Sequence, residues 1–199
     1  FQRDHPEIDI RIEASDAALD LDVVDVDVAV RYAPPGRVPP EARRLFGESV
    51  TPMASPWLLK SGGPIRAPED VLRHTLIEAS DAYTPHLEWL TWRRWLDSHG
   101  LQKRQPRSWL SFNYAYQMTQ AALAGQGLVL ARPPLVAENL ARGDLVEVLP
   151  GMALRSPMAY WLLVSPRSAA RPEVQAFADW LAAQAVATRS VVGEGADPD

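Results

Sequence analysis

The stretch from Trp109 to Ala131 constrains the fold more than any other part of the chain. It reads as a strand over Trp109 to Phe112, a helix opened by Asn113 and closed near Gly125, and an apolar strand Leu128-Val129-Leu130-Ala131. Strands joined through a crossover helix run parallel, because a tight turn joins only antiparallel ones. A parallel pair is covered on both faces, so helices are expected above and below a sheet.

The remaining segments fit that frame. Ile8, Ile10 and Ile12 alternate with Asp9, Arg11 and Glu13, the period-two pattern of a half-buried strand. Asp27 to Tyr32 has a continuous apolar middle, suited to a strand covered on both sides, and Pro34, Pro35 and Gly36 end it. A further strand is expected over Glu48 to Ala54, with Pro52 favouring an edge position, before a loop at Ser61-Gly62-Gly63-Pro64. Pro68 starts a short helix through Leu72, and Thr75 to Glu78 is extended. Thr84 and Pro85 suit an N-cap and first helical residue, with Trp89, Trp92, Leu96 and His99 on one largely buried face before Gly100. Pro133 and Pro134 begin a helix closed by Gly143, Leu145 to Leu149 is extended, and Ala159 to Val164 is a strand. Pro172 opens a last helix whose Val174, Phe177 and Leu181 share a face, and residues 188–199 are expected to form a disordered tail. Strands and helices alternate, so the class is α/β.

With 199 residues the chain is long for one simple domain and short for two independent ones, which favours one domain of two lobes. Apolar residues make up 47% and charged residues 23%, an ordinary globular balance. The net charge of −5 leaves no cationic surplus with which this segment could grip DNA phosphates. Cysteine is absent, which excludes a disulfide framework, a thiolate metal site and a cysteine nucleophile, and fits a reducing cytoplasm. No apolar run approaches the roughly 20 residues that cross a bilayer, and no signal peptide is present. Phe1 to Pro6 reads like the last turn of a helix running into a proline stop, so earlier residues are expected.

Catalytic chemistry finds little support. His5, His74, His86 and His99 are scattered, and surface or cap roles suit them better than a metal site. Gly125-Gln126-Gly127 follows a helix and precedes a strand, the reverse of a dinucleotide fingerprint, and reads as a helix stop and tight turn. Asp16, Asp20, Asp22, Asp25 and Asp27 lie along one segment and suit a solvated edge. No catalytic residue, metal or cofactor is assigned.

Binding geometry remains. In open α/β sheets ligands sit beyond the carboxyl ends of strands, which singles out Tyr32, Ala33 and Pro34, then Ala79, Ser80 and Asp81, then Arg132 and Pro133. Asn113 and Tyr114 join them, since a helix N-terminus offers N–H groups and a positive dipole end to an anion. Arg132 can clamp a carboxylate bidentately or can face solvent or a nearby aspartate. Asn113 is equally readable as a plain cap, and Tyr32 as a packing residue.

Several segments together resemble the effector-binding (substrate-binding) domain of LysR-type transcriptional regulators. They are His5-Pro6-Glu7-Ile8-Asp9-Ile10, Asp25 to Tyr32, Leu45-Phe46 through Ser55-Pro56, Ala121 to Gly127, and Arg171-Pro172 to Trp180-Leu181. The Val-Arg-Tyr ending, the tryptophan-rich helix and Ala159-Tyr160-Trp161-Leu162 are similar to the branch that includes the glycine-cleavage activator and the β-lactamase regulator. The resemblance implies a type 2 periplasmic-binding-protein-like fold: two Rossmann-like lobes joined by two crossover strands, with a small-molecule effector between them. Lobe I would comprise 1–73 plus 152–187, lacking its first strand and most of its first helix, and lobe II 74–151. It also implies a bacterial, cytoplasmic homodimer or tetramer, with DNA bound only through an N-terminal winged helix-turn-helix outside this sequence. In the β-lactamase-regulator type, hydroxyl-bearing residues after Phe-Asp-Ser and a tyrosine in Ser-Tyr-Trp-Leu contact the effector. Tyr160 matches that tyrosine, while Tyr114 and Ala115 replace the small hydroxyls, which implies a smaller ligand. A solute-binding receptor for transport shares the fold and is the alternative; an enzyme would need an acid, base or cofactor attachment.

Overall fold

In the computed structural model, residues 1–15, 25–79, 88–191 and 193–194 are described. The chain divides into two compact units, one formed by Phe1–Gly47 with Met158–Asp199 and the other by Glu48–Pro157.

The unit Glu48–Pro157 is built on the predicted crossover. Strands β3 (Thr75–Ala79), β4 (Ser108–Phe112) and β5 (Leu128–Ala131) run parallel in the order β5-β3-β4. Strand β2 (Arg43–Ala54) pairs antiparallel with β5, and the short β6 (Val146–Glu147) pairs with β2. Successive strand residues point to opposite faces, and this alternation sorts the core into two clusters. Leu76, Leu128, Leu130 and Val50 pack with Trp92, Trp95 and Leu96 of α2 (Trp92–Ser98). Ile77, Val129, Ala131 and Met53 pack instead with Ala121 and Ala122 of α3 (Ala115–Leu123). Helices therefore cover both faces, as the continuous apolar β5 requires. Each large side chain moved from water into these clusters contributes roughly 1.5–3 kcal/mol.

Glycine shapes the crossover at its turn. Gly125 takes φ +71 and donates to Ala122 O at 2.9 Å, while the Gln126 N–H donates to Ala121 O at 3.0 Å, the paired bonds of a left-handed helix stop. At Gly127 a Cβ would stand 2.5 Å from the carbonyl oxygen of Thr75, so only glycine lets the chain enter β5 this close to β3.

Several expectations are corrected in this unit. Helix α1 (Pro56–Gly62), capped by Ser55 whose hydroxyl accepts from the Leu58 N–H, follows the expected strand and takes in Ser61 and Gly62, where a loop was expected. Strand β2 lies between β5 and β6 and is not an edge; β6 is only two residues long, and the Pro52 carbonyl accepts from the Val148 N–H at 3.0 Å. Trp95 rather than Trp89 faces the core, because α2 starts at Trp92 with Thr91 as its cap. The expected cap at Thr84 and Pro85 lies outside the described residues. His74 is buried rather than at the surface and takes the C-cap position of the short helix Pro68–Arg73, the second of the two roles read for it. Leu58, Leu59, Ile65 and Leu72 pack into the first cluster, and residues 48–73 belong to this compact unit.

In the other unit, β1 (Val28–Ala33) pairs antiparallel with β7 (Leu154–Val164), Val28 opposite Val164 and Ala33 opposite Ala159. Helix α5 (Pro172–Val191) sets Ala178, Leu181 and Ala185 against Leu45 and Leu162. It continues past Thr188, where a tail was expected. Phe1 packs edge-on against Phe177 and Trp180, with centroids 5.0 and 5.7 Å away. The strand expected at Ile8 to Ile12 is irregular: no strand pairs with it among the described residues, and without a ladder partner the alternating pattern has nothing to bury against. Ile12 is accordingly 87% exposed.

Candidate functional site

The parallel strands of the unit Glu48–Pro157 end side by side. Ala79 lies opposite Phe112 in the β3–β4 register, and Ile77 opposite Val129 brings β5 to the same level two residues before its end. Asn113 and Arg132 therefore both leave one edge of the sheet, as a carboxyl-end site requires. Ser80 and Asp81 follow β3 in sequence and lie outside the described residues.

At β4 the cap position of α3 is Tyr114, not Asn113, and no side chain caps the helix. Asn113 is exposed, as are Tyr114 at 64% and Tyr116 at 73%. The first turn of α3 thus presents aromatic rings and an uncapped positive end to its surroundings.

Arg132 is already engaged. Its Nε donates to Oε1 of Glu48, whose side chain is wholly buried while that of Arg132 is 20% exposed. The carboxylate that the arginine clamps is thus the protein's own, and an incoming anion would have to share or displace it. Glu48 was missed as a functional residue. Its signal was available: the lone charge in the run from Glu48 to Ala54 must find a cation when buried. Glu78 was missed too. Its carboxylate accepts from the Trp92 N–H at 3.0 Å, and burial pushes its pKa up despite that bond and the charge of Arg93.

The remaining expected residues lie in the other unit. Tyr32 and Tyr160 face each other across β1 and β7, ring centroids 5.0 Å apart, and Phe46 adds a ring 4.7 Å from Tyr160. The Tyr32 ring thus packs on that of Tyr160. Ala33 is buried, and its carbonyl accepts from Trp161 Nε1 at 2.9 Å, so its contribution to any ligand is apolar. Pro34 caps the short turn Pro35–Arg37.

A cavity of about 380 Å³ lies elsewhere, between Leu59, Lys60, Pro64, Ile65, Glu147 and Val148, and none of the expected residues line it. We weigh the strand ends above it, because Glu147 there already accepts from the Thr51 hydroxyl at 2.6 Å and Lys60 is the only other charged group in its wall. Among the described residues no group of three or more histidines and carboxylates is placed to hold a metal, and no helix is long and apolar enough to cross a membrane.

The family model described as the LysR substrate binding domain matches residues 1–186. The chain is 31% identical over 187 residues to the glycine cleavage system transcriptional activator of Escherichia coli strain K12, across 94% of this chain and 59% of that protein. It is 28% identical over 183 residues to the HTH-type transcriptional activator AmpR of Pseudomonas aeruginosa, across 91% of this chain and 57% of that protein. The solved effector domain of AmpR from Pseudomonas aeruginosa superposes with a TM-score of 0.69 at 25% identity, covering 95% of this chain and 86% of that one. The chain thus spans 59% and 57% of the length of these two relatives.

Proposed function

The chain belongs to the LysR substrate binding domain family, and on that premise we propose that it is the effector-sensing part of a transcriptional regulator working in the cytoplasm as a homodimer or tetramer. The observation that carries this reading is the family match across residues 1–186, joined to 31% identity with a transcriptional activator over 94% of the chain. DNA would be read by a helix-turn-helix outside these 199 residues, in keeping with a net charge of −5 that offers phosphates no cationic surplus. The chemistry is binding, not turnover: a ligand with unequal affinity for two states shifts their populations and needs no acid, base or nucleophile. A type 2 periplasmic-binding-protein-like connection is part of the proposal, supported by β2 and β7 each having residues in both units.

Effector contacts are proposed for Tyr32, Ala33, Pro34 and Tyr160 in one unit and for Ser80, Asp81, Asn113, Tyr114 and Arg132 in the other. The uncapped start of α3 and the Arg132 guanidinium favour a small anionic metabolite. The experiment titrates amino acids, other small carboxylates and muropeptide fragments into the chain, its Tyr160→Phe variant and its Asn113→Ala variant. A small carboxylate is expected to raise the melting temperature, and each variant to weaken its binding by about tenfold, the loss of one hydrogen bond. Equal binding by both variants would remove these residues from the site. Turnover of any of the compounds would remove the sensor reading itself.

A further inference from the structure

Beyond the end of α5 the chain turns at Gly193, with φ +71, and brings Glu194 back onto the start of β2. Arg44 meets its carboxylate with both arms, Nη1 to Oε2 at 3.1 Å and Nη2 to Oε1 at 2.6 Å. The Gly47 N–H adds a bifurcated bond, 3.0 Å to each oxygen. Arg189, in the last turn of α5, donates to the carbonyls of Leu45 and Arg44 at 2.6 and 3.0 Å, so it fixes the backbone that carries these donors.

This is the geometry with which proteins hold a free carboxylate: a planar guanidinium fork on one side and a backbone N–H on the other. The residue at position 47 leaves room for it. A Cβ there would stand 2.3 Å from Glu194 Oε1 and 2.7 Å from Arg44 Nη2, so a larger residue would push these two side-chain ends out of their present places. Gly47 has no positive φ, so the reason for glycine is access and not backbone strain. Burial pushes the Glu194 carboxyl up, but the Arg44 and Gly47 bonds and the charges of Arg44 and Arg189 outweigh it and hold the group below the usual carboxylate range. The Arg44 and Glu194 side chains keep 35% and 29% of their surface in water, which lets the carboxylate exchange.

We propose that Arg44 and the Gly47 N–H form a carboxylate-binding site that Glu194 occupies in cis, and that the site takes a free carboxylate once Glu194 is displaced. Tethering raises the effective concentration of the resident group, so a free carboxylate of similar strength competes only above that concentration or when the tail is pulled away. The site is separate from the residues proposed for effector contact and stands on its own observations.

Acetate is the probe, with chloride at equal ionic strength as the reference, and melting temperature is the readout on the 199-residue chain. Glu194→Ala is expected to lower the melting temperature by about 2–4 °C. Acetate at about 100 mM should restore roughly 2 °C or more of that loss beyond the chloride effect, and leave the unsubstituted chain unmoved. The acetate response should vanish in Gly47→Ala/Glu194→Ala, where the new methyl fills the oxygen's place, and in Arg44→Ala/Glu194→Ala. If acetate does no more than chloride for Glu194→Ala, or acts equally on the double variants, the proposal is overturned and the contact is only a tail anchor.

Discussion

In the unit Glu48–Pro157, Trp92, Trp95, Leu76, Ile77 and Leu128 are almost wholly removed from water. The cluster of the other unit is centred on Leu45, Leu162, Ala178 and Ala185, residues of smaller volume. That second unit adds contacts of another kind at its chain ends, the Phe1 ring on Phe177 and Trp180 and the Glu194 carboxylate on Arg44. A sheet with a helical layer on each face buries large side chains twice over. A strand pair with one long helix has less apolar area to bury and relies more on rings and charges near water. The ionisable groups follow the same division. Burial works against charge on His74 and Glu78 in the first unit, while partners favour charge on Glu194 in the second.

Core truncation should separate the two units most widely. Trp95→Ala is expected to cost about 3–5 kcal/mol, since it empties a large buried volume and strands the Met152 carbonyl that Trp95 Nε1 now reaches at 2.7 Å. Leu162→Ala is expected near the lower end of the leucine range, about 2–3 kcal/mol, because the partly buried Val28, Phe46, Tyr160, Val164 and Leu181 around its small cluster can close on the space. Urea denaturation gives both values, and equal losses would end the contrast.

The ion pairs come next. Arg132→Ala leaves the wholly buried Glu48 carboxylate without this cation and should cost about 3 kcal/mol, most of it recovered by adding Glu48→Gln. Arg44→Ala, at a pair about one third exposed, should cost about 1 kcal/mol or less. A double-variant cycle at each pair tests the ranking.

Acidity gives a smaller effect of predictable sign. Burial, helped by the charges of Arg73 and Arg107 and opposed by Asp70, holds His74 below its ordinary pKa of 6.5. The unfolded chain then takes up a proton before the folded one does, so stability is full above about pH 6.5 and declines as pH falls below it. Glu78 acts the other way: with its folded pKa raised, its contribution is best below the ordinary 4.5 and shrinks as pH rises through the raised value. Melting temperatures between pH 7 and 5 should fall less for His74→Gln than for the unsubstituted chain; parallel curves would clear His74. Smallest of all, Arg142→Ala removes a solvent-exposed partner of Glu138 and Asp144 and should leave the urea midpoint essentially where it was.

The crossover Trp109 to Ala131 was legible because hydrophobic period, helix stop and length all agree there, and the family resemblance rested on the same kind of ordered local pattern. Ile8 to Ile12 shows the limit: alternation states that a strand is possible, while a ladder partner decides whether it forms. The face expected of Trp89, Trp92, Leu96 and His99 omits Trp95 because Trp89 precedes α2, which Thr91 starts. At the candidate site the strand ends were readable from pattern, and Asn113 and Arg132 do leave one sheet edge. Glu48 as partner to Arg132 joins positions 84 residues apart, which no local pattern encodes.

Gly47 and Glu48 are consecutive, yet the first is fastened by Glu194 within its own unit and the second fastens Arg132 within the other. Adding or deleting one residue at this peptide link would turn every following side chain of β2 to the opposite face. The hydroxyl of Thr51 and the packing of Met53 would be lost along with the Glu48 carboxylate's position. Descendants of this sequence should therefore keep their length unchanged at this junction.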